Sequence, residues 1–402
     1  MNKINVYSEV GKLKEVLVHT PGDEIRRISP SRLEELLFSA ILEPDSAIEE
    51  HKRFLKILED NNIKVIQLDQ LVADTYELVN PSVRDAFIEK WLNESEPKLD
   101  KKLREKVKEY LLHTQKTVGT KRMVRIMMAG VDRVELGVEL DRQLVVDPMP
   151  NLYFTRDPFA SAGNGISLNN MKYVTRKRET IFSEFIFENH PDYKTTPHWF
   201  DRLDKGNIEG GDVFIYNRTT LVIGISERTN KDALLTIANN IKSNKESKFE
   251  RIVAVNVPPM PNLMHLDTWL TMVDHDKFLY SPNMMKTLKF WTIDLTKPIK
   301  MVELEESLSD MIETIIGKKP VLIPIAGHDA SPLDVDIETH FDGTNYLTIA
   351  PGVVVGYSRN KLTEKALTKA GVKVLSFEGN QLSLGMGSAR CMSMPLVRED
   401  IK

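Results

Sequence analysis

Gly211-Asp-Val-Phe-Ile-Tyr216, Thr220-Leu-Val-Ile-Gly-Ile-Ser226, the stretch Lys231 to Asn240 and Arg251-Ile-Val-Ala-Val-Asn-Val257 follow one another in a fixed order. Asn345-Tyr-Leu-Thr-Ile-Ala350, Gly352-Val-Val-Val-Gly-Tyr-Ser358, the stretch Leu362 to Ala370 and Val372-Lys-Val-Leu-Ser-Phe377 repeat that order. Short apolar runs bounded by turn residues read as strands, and the longer stretch in each copy has helical spacing. The order is therefore strand, strand, helix, strand. Gly224-Ile-Ser226 and Gly356-Tyr-Ser358 hold equivalent places in the two copies. A weaker copy spans Trp269 to Ile325, and others can be drawn over residues 152–200 and in the opening segment. One such unit is too small to bury a core alone, so the copies must pack around a shared axis. The pattern predicts a pseudo-symmetric α/β ring with its site where the modules meet.

Outward from the repeats, Leu13-Lys-Glu-Val-Leu-Val-His-Thr20 reads as a strand ended by Pro21-Gly22-Asp23. Pro30 to Asn61 reads as helical, with Phe54, Leu55 and Leu58 on one face, and Ile63-Lys-Val-Ile-Gln-Leu68 as the next strand. From about Ala73 to Val145 glycine is sparse and helix formers dominate; Leu103, Val107, Tyr110 and Leu111 fall at helical spacing. The basic residues between Lys98 and Arg125 are interleaved with Asp100, Glu105 and Glu109, which marks a solvated helix face rather than a phosphate site. The expected organisation is a first α/β module over 1–72, a small helical insert over 73–146, and the remaining modules over 147–402.

Composition narrows the function classes. A formal charge of −4 over 402 residues argues against a nucleic-acid binder, which needs a basic footprint. No apolar run reaches the length of a membrane span. Met1-Asn-Lys-Ile-Asn-Val-Tyr7 lacks the apolar core of an export signal. A single cysteine suits a reducing cytoplasm.

That cysteine, Cys391, follows Gly385, Gly387, Ser388 and Ala389. It forms no internal disulfide, so it is either core filler or a reactive thiol. Three other polar clusters fall at strand ends: Asn151-Leu-Tyr-Phe-Thr-Arg-Asp157-Pro158, Ile208-Glu209-Gly-Gly-Asp212 and Met264-His265-Leu-Asp267-Thr268. Pro158 holds Asp157 out of a helix. The two glycines after Glu209 leave room for a ligand beside a carboxylate. His265 and Asp267 are two apart, so on a strand they face the same way. Each cluster also has a structural explanation: a turn, a hairpin, a hydrogen-bonded histidine. A metal bound by His265, Asp267 and Cys391 is the first rival, but a second cysteine and paired-histidine spacing are both missing. Together the clusters offer Cys, His, Glu and two Asp. Buried carboxylates need a cationic partner, and a planar cation with forked N–H donors, a guanidinium, suits a pair of them best.

With Gly387-Ser-Ala-Arg-Cys-Met-Ser393 added, these motifs resemble those of bacterial arginine deiminases in the guanidino-modifying superfamily, mycoplasma-type members in particular. The resemblance covers essentially the whole chain, and as a combination the motifs are highly specific. It implies a pentein fold, a five-bladed α/β propeller of ββαβ modules with a helical insert after the first. It implies hydrolysis of L-arginine to L-citrulline and ammonia, with no metal or organic cofactor. Cys391 would be the nucleophile on the guanidinium carbon; Asp157 and Asp267 would grip the guanidinium nitrogens. His265 and Glu209 would manage protons. Arg176 and Arg228 would hold the substrate α-carboxylate, while Asn151 and Phe154 line the pocket and Leu42 closes over it. A homo-oligomer, dimer or tetramer, is expected. Some members carry histidine where this chain has Arg390, so contacts from that loop do not transfer. The same clusters would serve an agmatine deiminase, a methylarginine hydrolase, an amidinotransferase or a protein that binds arginine without turnover. Arg176 and Arg228 favour a substrate bearing a carboxylate.

Overall fold

The computed structural model describes residues 3–260, 264–285 and 287–401. Among them the repeated unit occurs five times, as three strands whose first pair is antiparallel and whose second pair is parallel. One copy is Val213–Asn217, Thr220–Ile225 and Arg251–Asn256, and another is Leu347–Ala350, Val353–Tyr357 and Lys373–Phe377. Phe159–Ala162, Gly165–Leu168 and His198–Phe200 form a third, and Leu270–Met272, Lys277–Tyr280 and Val321–Pro324 a fourth. The fifth joins the chain ends: Met394–Arg398 pairs antiparallel with Leu13–Val18, which pairs parallel with Lys64–Gln67.

Tight turns suffice for the four antiparallel pairs within the chain, while each parallel pair needs a crossover. Lys231–Ser243 is such a crossover helix. Asn230 caps its first turn by accepting the Ala233 N–H, and Ala233, Leu234, Ile237, Ala238 and Ile241 are buried along one stripe. The strands it connects read as nearly continuous apolar runs because helix and neighbouring sheet cover both faces.

Three local expectations change. The helix expected from Pro30 begins only at Pro44 and runs to Asp60. Proline at the first turn and the Glu43 carboxylate, which accepts the Asp45 and Ser46 N–H groups, fix that start. Pro30–Arg32 make only a single 3-10 turn, and residues 33–43 form a loop, with Leu37 at φ 62. The copy over Trp269 to Ile325 looked weak because it holds an extra hairpin, Phe290–Asp294 and Met301–Leu304. That hairpin extends the Val213–Asn217 sheet to five strands. Last, the first strand of the opening module comes from the far end of the chain, beyond the reach of local pattern.

Four helices, Leu68–Leu78, Pro81–Asn93, Lys101–Thr117 and Thr120–Ala129, follow the Lys64–Gln67 strand. Trp91, Val107, Leu111 and Met123 share one continuous core with Phe182 and Phe185 of the following module. Among the described residues, no helix is long and apolar enough to cross a membrane.

Candidate active site

The four clusters meet at the ends of the module strands. Phe154 and Asp157 follow the turn Pro150–Tyr153. Glu209 precedes the turn Gly210–Asp212. His265 and Asp267 lie on the turn Leu266–Thr268, which corrects the strand expected there: what aims both side chains is the turn, not strand alternation. Asp212 holds this turn in place, because one carboxylate oxygen accepts the Leu266 N–H at 2.8 Å and the other accepts the Ser226 hydroxyl at 2.6 Å.

The room made by Gly210 and Gly211 belongs to the protein rather than to a ligand. A methyl on Gly211 would stand 2.6 Å from His265 Nδ1, and one on Gly210 would stand 1.9 Å from the Arg156 carbonyl. The glycines before Cys391 also have a different use from the expected one. Methyls on Gly385 and Gly387 would meet the Tyr153 hydroxyl at 1.7 Å and the Phe154 ring at 2.4 Å. The left-handed residue of that loop is Met386, at φ 65.

Of the nine residues expected at the site, all but Glu209 and Asp267 line one cavity of about 20 Å³. Leu37 and Met386 help to close it. Leu42, expected in that role, is instead buried in the core beside Cys391's module. An adjoining vestibule of about 420 Å³ shares Leu37, Arg228, Met264 and Met386 with it.

Behind the cavity wall, His265 Nε2 lies 2.8 Å from Glu209 Oε2, and His265 Nδ1 lies 4.0 Å from Asp157 Oδ1. Burial opposes a charged imidazole, but Asp157, the Glu209 hydrogen bond and Asp212 outweigh it and raise His265 well above its ordinary value. Burial likewise opposes a charged Glu209, yet His265, Arg228 and Arg176 hold it below the usual carboxylate range. The pair is therefore an imidazolium on a carboxylate. Arg228 donates to Glu209 at 3.2 Å and stacks 4.6 Å over the Tyr173 ring. Asn151 donates to the Leu36 carbonyl at 2.8 Å, tying the 33–43 loop to the pocket.

Each expected guanidinium-gripping carboxylate already carries an arginine of the chain. Arg176 Nη1 donates to Asp157 Oδ2 at 2.8 Å while its other nitrogens bind Glu179. Burial pushes the Glu179 carboxyl up to about 7 despite that contact. Arg390 Nη1 donates to Asp267 Oδ2, also at 2.8 Å. Its Nη2 reaches the Val213 carbonyl at 3.0 Å and Glu9 at 3.3 Å, and the guanidinium lies 3.7 Å over the Phe214 ring. Arg390 is thus the internal counter-charge of Asp267.

Cys391 Sγ stands 3.6 Å from Asp267 Oδ2. Burial first, then Asp267, Asp157 and Asp342, push its thiol well up, so it carries its proton. Among the described residues, Asp157, Glu209 and His265 also present ligand atoms within 4.8 Å of one another, close enough for a metal ion. Arg176 and Arg228 already neutralise those carboxylates, which leaves little charge for a cation. Glu179 and Glu9 were not expected here. Glu179 lies only three residues after Arg176, within reach of a local reading; Glu9 pairs with a residue 381 positions away.

A family model described as arginine deiminase matches residues 34–398. A relative from Mycoplasma pneumoniae is 58% identical, over 99% of both chains. The arginine deiminase of Metamycoplasma arthritidis is 54% identical, over 99% of this chain and 98% of that one. Among solved structures, the saxitoxin-pathway amidinotransferase SxtG of Microseira wollei aligns with TM-score 0.54 at 15% identity, covering 99% of this chain and 98% of that one. The product-bound N-terminal domain of ArgZ, a cyanobacterial arginine dihydrolase, aligns with TM-score 0.54 at 13% identity, covering 96% and 97%. These two likenesses concern the fold alone. The matched length and identity of the sequence relatives place the chain in the arginine deiminase family.

Proposed function

We propose that this site hydrolyses L-arginine to L-citrulline and ammonia through a covalent amidino intermediate on Cys391. The observation that carries it is a single thiol, 3.6 Å from one carboxylate, facing a pocket that a second carboxylate, Asp157, and the Glu209-paired His265 also line. The names of the sequence relatives support the same substrate.

A cationic guanidinium entering between Asp157 and Asp267 lowers the cost of ionising Cys391, whose proton leaves to solvent. The thiolate then attacks the guanidinium carbon. Held within about 3–3.5 Å and in line, it gains roughly 7–11 kcal/mol from orientation alone. The His265 imidazolium gives its proton to the departing nitrogen, and ammonia leaves. The now neutral His265 takes a proton from water, hydroxide adds to the amidino carbon, and the Cys391 thiolate is expelled and takes the proton of the new C–OH group as citrulline forms. Arg176 and Arg228 take the α-carboxylate, which requires Arg176 to exchange Asp157 for the substrate; Asn151 and Phe154 bound the pocket.

Incubation with arginine and assay of ammonia tests the activity. Cys391→Ser is expected to keep the fold and lose turnover, and turnover at the unsubstituted rate would remove the mechanism. A kcat/KM that favours agmatine over arginine would overturn the substrate assignment.

The proposal extends to architecture and setting. The five three-stranded units close as a pseudo-fivefold propeller around the site, with the helical segment 73–146 as an insert between modules 1–72 and 147–402. The single free cysteine supports a cytoplasmic setting, and the family resemblance supports a dimer or tetramer.

A further inference from the structure

By sequence pattern Asn345 is only the start of a strand. It stands instead between the turn at residues 341–344 and the strand Leu347–Ala350, fully buried. Its Oδ1 accepts two main-chain N–H groups, from Cys391 at 3.0 Å and from Ser388 at 3.2 Å. Its Nδ2 donates to the Asp267 carbonyl at 3.3 Å. Its own carbonyl accepts the Arg390 N–H at 3.3 Å. One residue therefore touches the main chain of the nucleophile, of the residue before it, and of the carboxylate facing the sulfur.

The chemistry of these contacts is selective. A carboxamide offers two acceptor lone pairs on oxygen and two donors on nitrogen. The two N–H groups and the carbonyl it meets determine which end is which. Aspartate could receive both N–H groups but could not donate to Asp267, and it would add a negative charge beside Asp267 and Asp342. Alanine could do neither. The bridged segments lie 46 and 78 residues from Asn345 along the chain, so local structure does not hold them in register with it.

We infer that Asn345 is a positioning residue: its carboxamide sets the distance between Cys391 Sγ and the Asp267 carboxylate. It touches no reacting atom. The inference rests on Cys391 as nucleophile and Asp267 as a guanidinium partner.

The test compares Asn345→Ala and Asn345→Asp with Asn217→Ala, which removes an amide bound to the Ile315 carbonyl outside the site. Each protein is assayed for kcat and KM with arginine, for Tm, and for the pH profile of Cys391 alkylation by iodoacetamide without substrate. Misplacing a reacting group by about 1 Å can cost about 100-fold, so Asn345→Ala is expected to lower kcat by about that factor with KM little changed. Its alkylation should quicken and shift to lower pH as the loop loosens. Asn345→Asp, nearly the same shape, should lower kcat by about tenfold or more and move alkylation to higher pH through its added charge. Asn217→Ala should leave kcat and the alkylation profile unchanged. A kcat within about threefold of the unsubstituted enzyme in either Asn345 variant, or a lowered kcat with an unmoved alkylation profile, overturns the inference. If Asn345→Ala does not fold, Asn345→Asp decides alone. Cys391→Ser separates the two levels: activity there removes the underlying mechanism, whereas an inactive Cys391→Ser beside a fully active Asn345 variant removes only the positioning role.

Discussion

Asp157 and Asp267 each hold a buried arginine at 2.8 Å, yet the two pairs differ in what surrounds them. Arg176 lines the substrate cavity and keeps Glu179 on its other nitrogens if it releases Asp157. Arg390 is set behind the cavity, with Glu9 and the Val213 carbonyl on one side and the Phe214 ring beneath it. The same charge pair is therefore exchangeable in one place and permanent in the other. A cavity of about 20 Å³ holds little more than one water, so binding requires that one pair open. Arg176 lines that cavity and Arg390 does not, so the Asp157 pair is the one a ligand meets.

The largest expected effect is on the permanent pair. Asp267→Ala strands Arg390 with only Glu9, and removing one partner of a buried pair costs about 3–5 kcal/mol. A clear fall in Tm together with loss of activity is expected; a Tm within a degree or two of the parent would mean the pair is not structural. Asp157→Ala comes next. It should lose several kcal/mol in kcat/KM while Tm falls less, since Arg176 retains Glu179. A loss of less than about tenfold would contradict contact with the guanidinium.

Arg176→Ala should raise KM for arginine by about 100-fold and affect arginine far more than agmatine, whereas Arg390→Ala should lower kcat and Tm alike for either substrate. Equal responses of the two variants would erase the distinction between the pairs.

A smaller effect follows from pH. His265 has its proton affinity raised in the fold, to about 9. A raised basic group contributes fully to stability below its ordinary value and loses that contribution as pH rises through the folded one. Its role as acid fades over the same range, so kcat should fall above about pH 9. Glu209→Gln removes the hydrogen-bonded carboxylate and should bring that limb toward neutral pH. A limb that does not move would mean that another group sets it. Smallest of all, Gly211→Ala pushes on the His265 ring and should cost about tenfold in kcat with little change in KM.

Much of the fold was legible locally. Arg251–Asn256 is a strand with a buried middle because both faces are covered there, and that leaves the apolar run Ile252 to Val255 in the sequence. The clusters around Asp157, Glu209, His265 and Cys391 were legible for a related reason, since turn residues mark where strands end. The loop over residues 33–43 was misread as helix because its apolar residues, Leu33, Leu36 and Phe38, serve packing against the site rather than a helical stripe. The glycines were seen but misassigned, because what each one admits is a side chain from a distant segment.

The sequence by itself determined the inventory of chemistry: the thiol of Cys391, the imidazole of His265, the carboxylates of Asp157, Glu209 and Asp267, and repeated apolar strands, each encoded in its own short local motif. Only the tertiary structure decided how those groups are paired. It gave Arg390 to Asp267 and Arg176 to Asp157, closed the first module with the last strand, and set Asn345 between nucleophile and carboxylate. The physical reason is distance along the chain. Strand and turn preferences act between neighbours, whereas a buried charge is stabilised by whichever opposite charge the packing brings within about 3 Å, however far away it lies in sequence.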